Sequence, residues 1–290
     1  MVKLELSRLT RRKLMNSFMT GLFTALTILS VLILAVIVIN IFVNGISSIN
    51  LDFFTQLPQA GGRGGIGNAI VGTLLMLLMA SVVSVPLGVL IAIFLSEFGK
   101  GPFATATRFC VDLLLQTPSI VIGIFIWTTL VNGIDIGGFS TQIGFSAITG
   151  AIALSLIMIP IIARSVEEIL RLVPDLLREA GLALGLPRWR VVTMVVIPTV
   201  RPGIITGVIL SIARAAGETA PLLLTAGYLS NWSFNPADQA ASITVMIYRY
   251  STGIGDEPAR AWGATLVLVV VIAIFSASVR VFSGKSKYEA

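Results

Sequence analysis

The sequence predicts an all-α integral membrane protein with six transmembrane helices, on three observations. Apolar residues make up 56% of the 290-residue chain and charged residues 12%, about half the charged share of a soluble domain, roughly 25%. Several charge-free apolar runs exceed the roughly 20 residues that cross a bilayer as a helix. The basic residues are also unevenly divided between the segments joining these runs. With the N-terminus inside, sixteen of the 20 lie in inner segments, and only Arg63, Arg249 and Arg260 lie outside. Arg214 falls within a span. Such an asymmetry favours this orientation and an even number of spans.

Residues 1–16, carrying Lys3, Arg8, Arg11, Arg12 and Lys13, are expected as an inner tail that resembles the start of a signal peptide. The following run has no charge from Leu14 to Leu51 and no clear cleavage site, so an uncleaved first helix at about 17–43 is the better reading. Further spans are expected at about 66–95, 109–131, 145–164, 199–227 and 261–282. They complete a membrane domain over 17–283, with an inner tail at 284–290. The fifth span is inferred, because it contains two charges. Of the outer loops, 228–260 carries Trp232, Phe234, Pro236, Tyr248 and Tyr250. These suit either a partner surface or ordinary interfacial anchors.

Composition narrows the chemistry. The chain has no histidine, the commonest metal ligand and general base, and one cysteine, so no internal disulfide forms. Cys110 is expected as a small buried apolar residue. The net charge of +6 flanks apolar runs, a pattern of membrane orientation that implies lipid contact and no nucleic acid. Two motifs mislead. Gly62 to Gly67 satisfies G-x-G-x-x-G without the βαβ unit that a dinucleotide site requires. Gly284-Lys285-Ser286 matches the end of a P-loop, but the required first glycine is Val279. The chain is therefore expected to bind no cofactor and to carry no ATPase site.

The inner segment 165–198 holds the most specific pattern. Pro174 and Asp175 suit a helix start. Leu176, Leu177, Ala180 and Leu184 share a helical face, and Gly185 with Pro187 supplies a stop. The blocks Glu179-Ala180-Gly181, Gly185 and Val195-Val196-Ile197-Pro198 keep every spacing of E-A-A-x3-G-x9-I-x-L-P, the EAA loop of bacterial ABC importer permeases. Gly181, Val195 and Ile197 are mild departures. The resemblance implies the ABC importer permease fold and a cytoplasmic coupling helix docking on a partner ATPase. There the small residues would permit close approach and Glu179 would pair with basic groups.

The fifth span carries Gly203, Gly207, Ser211, Arg214, Glu218, Pro221 and Thr225 at steps of three or four, expected as one small and polar stripe along a helix. Charges at mid-bilayer cost a few kcal/mol and normally face a bundle interior or an aqueous cavity. Arg214 and Glu218 are four apart, so a structural ion pair and a role in substrate passage both stand. For an oxyanion, a guanidinium offers a matching fork of donors. An ionised carboxylate only accepts hydrogen bonds, so it favours an anion with a proton to donate, which hydrogen phosphate carries and sulfate lacks. Asp112, Gln116, Thr117 and Pro118 in the third span suit either the same cavity or bonding between helices.

"ARAAGETAPLLLTAG" over 213–227 resembles the signature of phosphate-specific ABC importer permeases, with an ending similar to their A-type subunit. "GGIGNAIVGTLLM" at 64–76, "VPLGVLIAIFLSEF" at 85–98 and "TPSIVIGIF" at 117–125 resemble the same family. The resemblance implies a phosphate permease subunit in a prokaryotic plasma membrane with both termini cytoplasmic. Its implied partners are a C-type permease, an ATPase dimer that binds the ATP, and an external phosphate-binding protein. Permeases for sulfate or molybdate, a passive channel and a membrane-embedded enzyme on phosphorylated lipid are the alternatives. The enzyme would need a base or metal site, which the missing histidines and unclustered carboxylates disfavour.

Overall fold

The computed structural model describes residues 2–59, 63–253 and 257–283. Five helical segments are long and apolar enough to span a bilayer, and a bent pair supplies a sixth span. The first helix, α1, runs over Val2–Gly45. The expected inner tail is thus mostly helical, since nothing between Val2 and Met19 interrupts a helix. Hydroxyls of Thr24, Thr27 and Ser30 bond back to carbonyls one turn earlier, which satisfies them inside an apolar stretch. α1 is almost wholly exposed and packs on the last helix, α12 (Glu257–Ser283), where Gly45 lies against the Trp262 carbonyl.

A short helix, α2 (Leu51–Thr55), capped by Asn50, and a two-residue hairpin lead to α3 (Gly67–Ile93), which continues through a wide π-helical turn to Phe98. α3 packs along α6 (Ala147–Arg171), the most buried span. Their approach depends on missing side chains: a Cβ on Gly88 would lie 2.8 Å from Ile162, and one on Gly150 would lie 2.7 Å from the Met76 sulfur. Polar groups between them are internally satisfied. The Ser155 hydroxyl donates to the Ala151 carbonyl at 2.8 Å, and Ser146 with Thr149 forms a capping box at the α6 start.

Two spans depart from the expected straight helices. The third is α4 (Pro102–Gln116) followed by α5 (Ser119–Ile126) and a wide turn to Val131, bent by 102°. Pro118 removes a backbone donor and pushes Thr117 to ψ 126°, outside the helical region. Cys110 is exposed on α4, contrary to the buried position expected, because the flank bearing Phe109 and Leu113 is turned away from the bundle.

The fifth span begins earlier than expected, at α8 (Arg188–Val191). It continues through a wide turn over Val192–Val196 into α9 (Ile197–Ala216). It also ends earlier. Gly217 caps α9, and a separate short helix, α10, spans Ala220–Thr225. Pro221 cannot donate to the Gly217 carbonyl, so the helix cannot pass through this point unchanged. The polar stripe is therefore split between two helices.

Between these spans lie α7 (Asp175–Ala183) and, at the opposite end of the bundle, α11 (Ile243–Ser251), which packs on α12 and α3. Trp232 stacks on Phe234 and also sits over Gly67 at the α3 start, while Tyr250 is buried. Gly62 and Gly284-Lys285-Ser286, the ends of the two misleading motifs, lie outside the described residues.

Candidate functional site

The two breaks meet. Gln116, Thr117, Pro118, Ser119 and Ile122 from the α4–α5 break face Arg214 and Glu218 across a cavity of about 270 Å³, with Ile157 and Ile161 of α6 on its wall. α5 and α10 are pressed together beside it, since a Cβ on Gly123 would lie 2.8 Å from the Pro221 Cα. The Thr244 hydroxyl donates to the Glu218 carbonyl at 2.8 Å and so holds the second break in place.

Arg214 occupies the last turn of α9, where a cation complements the helix dipole. The helix ends before Glu218, so the two side chains lose the alignment that an i, i+4 pair has within one helix. None of the ion pairs formed among the described residues includes either group. The cavity thus carries one guanidinium and one carboxylate that are not joined to each other, beside the hydroxyls of Thr117 and Ser119 and the Gln116 amide.

The rest of the stripe serves packing. Gly203 and Gly207 lie against Ile169 and Ser165 of α6. Ser211 is fully buried with its hydroxyl 3.5 Å from the Met158 carbonyl. Thr225 is also fully buried; its hydroxyl donates to the Pro221 carbonyl and its own carbonyl accepts from Thr149. Neither Ser211 nor Thr225 lines the cavity. Of the four residues noted in the third span, Gln116, Thr117 and Pro118 line it, whereas Asp112 reaches toward Arg164 at 4.0 Å. Ser119 and Ile122 carried no sequence signal beyond their place in the 117–125 stretch, and Ile157 and Ile161 none beyond their place in an apolar span.

The expected coupling helix is α7, starting at Asp175 after Pro174. Leu176 and Leu184 are 78% and 82% exposed, and Glu179 and Ala180 are exposed beside them. Within the chain the two glycines each have a local role. Gly181 is buried with its missing side chain filled by Val191 of α8. Gly185 has φ +79° and open space around its Cα. The Leu186 and Gly185 amides donate to the Gly181 and Leu182 carbonyls, a Schellman termination that favours glycine at this left-handed position. Pro198 is exposed in the first turn of α9, directly after the wide turn that accommodates its missing donor.

Beside α7 lies an ionic cluster that the sequence did not reveal. The buried Glu97, in the wide turn ending α3, accepts from Arg178 at 2.8 and 3.1 Å. Arg178 also donates to the Leu170 and Val173 carbonyls and to Asp175. The bond to Glu97 holds its guanidinium above the ordinary value, against burial that pulls it down. The buried Glu167 of α6 accepts from Arg108 of α4 at 3.0 Å and from Arg171 at 2.6 Å. Arg108 further donates to the Leu95 carbonyl.

This architecture of broken spans around a polar cavity, with an exposed amphipathic helix at one end, has a counterpart in known proteins. Residues 84–288 match the model of the binding-protein-dependent transport system inner membrane component. The chain belongs to that family of transport permeases. Among its relatives, the phosphate transport system permease protein PstA of Pasteurella multocida is 39% identical over 282 residues, covering 95% of this chain and 97% of that one. The PstA of Mycobacterium leprae is 43% identical over 224 residues, covering 75% and 71%. The solved bacterial alginate ABC transporter shares the fold at TM-score 0.67 and 16% identity, covering 92% and 93%. The inward-facing MetNI methionine transporter does so at 0.57 and 18%, covering 77% and 95%. These permeases are transport subunits rather than enzymes.

Proposed function

We propose that this chain is the permease subunit of an ATP-driven phosphate importer. The observation that carries it is the cavity at the two breaks, where Arg214 and Glu218 stand unpaired with each other, in a chain whose relatives are phosphate permeases. Arg214 supplies a fork of donors to the anion's oxygens, and Glu218 accepts a hydrogen bond from the P–OH group that hydrogen phosphate retains at neutral pH. Thr117, Ser119 and Gln116 complete the polar wall. Ser211 and Thr225 support the path from behind by fixing α9 and α10 on α6.

A C-type permease shares the path, an external binding protein delivers phosphate, and a pair of ATPase subunits binds the ATP. The ATPases engage α7 through Glu179, Ala180 and the exposed leucines, with Gly181, Gly185 and Pro198 shaping the loop behind that surface. Both termini and α7 face the cytoplasm, as the distribution of basic residues favours.

The test is uptake by the complex co-purified with its partners and placed in lipid vesicles. Labelled phosphate uptake that needs ATP, is competed by phosphate and is not competed by sulfate is the expected result. Competition by sulfate or molybdate at equal concentration would reassign the substrate. Wild-type uptake in both Arg214→Gln and Glu218→Gln would remove the cavity from the path.

A further inference from the structure

The ionic cluster at the α7 end ties α7 to the second span, with which its backbone makes little contact, and adds ionic ties among the second, third and fourth spans, which also pack directly on one another. The backbone of α7 packs on α8 and the following wide turn, that is, on the fifth span. Its tie to the second span runs through a side chain, Arg178, whose fork closes on the buried carboxylate of Glu97 at 2.8 and 3.1 Å. The same turn of α3 offers its Leu95 carbonyl to Arg108 of the third span at 2.7 Å. Arg108 in turn shares Glu167 of the fourth span with Arg171. Residues 95–97 are therefore the point where α7 and three spans are fastened together. A wide turn suits this, because it frees a carbonyl from the regular helical ladder and is a common site of functional irregularity.

We propose that Arg178 and Glu97 form a latch that makes α7 move as one body with the second, third and fourth spans. Arg178 is a positioning residue: it touches neither substrate nor nucleotide. This rests on reading α7 as the ATPase contact. A displacement of α7, which otherwise passes to the fifth span and through the short link to α6, also reaches α3 through Glu97, and from there α4 through the Arg108 bond to the Leu95 carbonyl. The third and fourth of these spans also line the cavity, as does the fifth. A broken latch leaves ATP hydrolysis running and weakens its link to the second, third and fourth spans.

The measurement is phosphate taken up per ATP hydrolysed by the full complex in vesicles. Arg178→Gln and Glu97→Gln each keep hydrolysis within about twofold and lower this ratio at least about tenfold, on the scale of a lost charge-assisted bidentate contact. The double variant falls no further than either single one. Arg178→Lys, which keeps the charge without the fork, gives an intermediate ratio and serves if the glutamine variants assemble poorly. In a Cys110→Ser background, Glu97→Cys with Arg178→Cys regains the ratio when joined by a short bis-maleimide. Unchanged ratios in the single variants, additive losses in the double one, or no recovery on cross-linking overturns the latch. Glu179→Arg separates the underlying reading: the ATPase fails to co-purify with it and still co-purifies with Arg178→Gln. An ATPase that binds and couples normally to Glu179→Arg refutes the docking role of α7 itself.

Discussion

Two sets of charges sit in this molecule under opposite rules. At the α7 end, the buried carboxylates of Glu97 and Glu167 are held by arginines at 2.6–3.1 Å. At the breaks in the third and fifth spans, Arg214 and Glu218 share a cavity and do not pair. The first arrangement spends its Coulombic attraction on fixing helices to one another, because a buried charge without a partner is strongly destabilising. The second keeps donor and acceptor capacity free for something that arrives. A charge that is satisfied builds the frame; one left open by a broken helix is available to a ligand.

This contrast is sharpest at Arg214. Arg214→Gln should lower phosphate uptake about a hundredfold, since two charge-assisted bonds at about 1.5 kcal/mol each are lost and each 1.4 kcal/mol is tenfold. Its thermal unfolding midpoint in detergent should stay unchanged. Glu167→Ala should do the reverse at the frame, costing about 2–3 kcal/mol because Arg108 and Arg171 lose their shared acceptor but retain some access to water. A drop in unfolding midpoint reads that out, and an unchanged midpoint would erase the distinction between the two regions. Glu218→Gln should reduce phosphate uptake about tenfold and narrow the preference over sulfate, measured by competition.

Smaller effects follow from backbone positions. Gly123→Ala should cost about 1–2 kcal/mol by forcing α5 away from Pro221, and its uptake should fall with its melting temperature because the same contact shapes the cavity. Gly185→Ala should cost about 1 kcal/mol at φ +79°, visible as faster amide exchange across α7. If Gly185→Ala impaired uptake more than Gly123→Ala, the frame and not the cavity would be the more sensitive part.

The spans were legible because an apolar run bounded by charges has few other ways to fold. The breaks were not. Pro86, Pro160 and Pro202 lie inside uninterrupted helices, so proline alone does not mark where a span divides. What distinguishes Pro118 and Pro221 is the polar residues around them, Gln116-Thr117 and Gly217-Glu218-Thr219, which tolerate a departure from the helix. The sequence brought Arg214 and Glu218 together as neighbours on one helix, whereas they meet as walls of a cavity. Ser211 and Thr225 shared the helical period, but period alone cannot separate a face that packs on α6 from one that opens to a cavity. Gly181 and Gly185 fit a spacing whose physical reasons, a Val191 contact and a left-handed φ, are visible only in three dimensions. Glu97 and Glu167 carried no sequence signal for the arginines that come from other elements, Arg178 and Arg108; only the Arg171 partner of Glu167 lies at helical spacing within α6.

The 44 residues of α1 extend about 66 Å at 1.5 Å per residue, more than twice the roughly 30 Å of a hydrocarbon core. Its charge-free part from Leu14 to Gly45 alone measures about 48 Å on the same rise. A helix of that length overruns the hydrocarbon core, so it must tilt, carry apolar side chains past the core, or both. Near Gly45 it rests on α12, where the Trp262 carbonyl and Leu266 leave no room for a side chain at that position. The helix that adds least to the interior is therefore the one whose fit depends most on bilayer thickness, and a thinner membrane increases its mismatch.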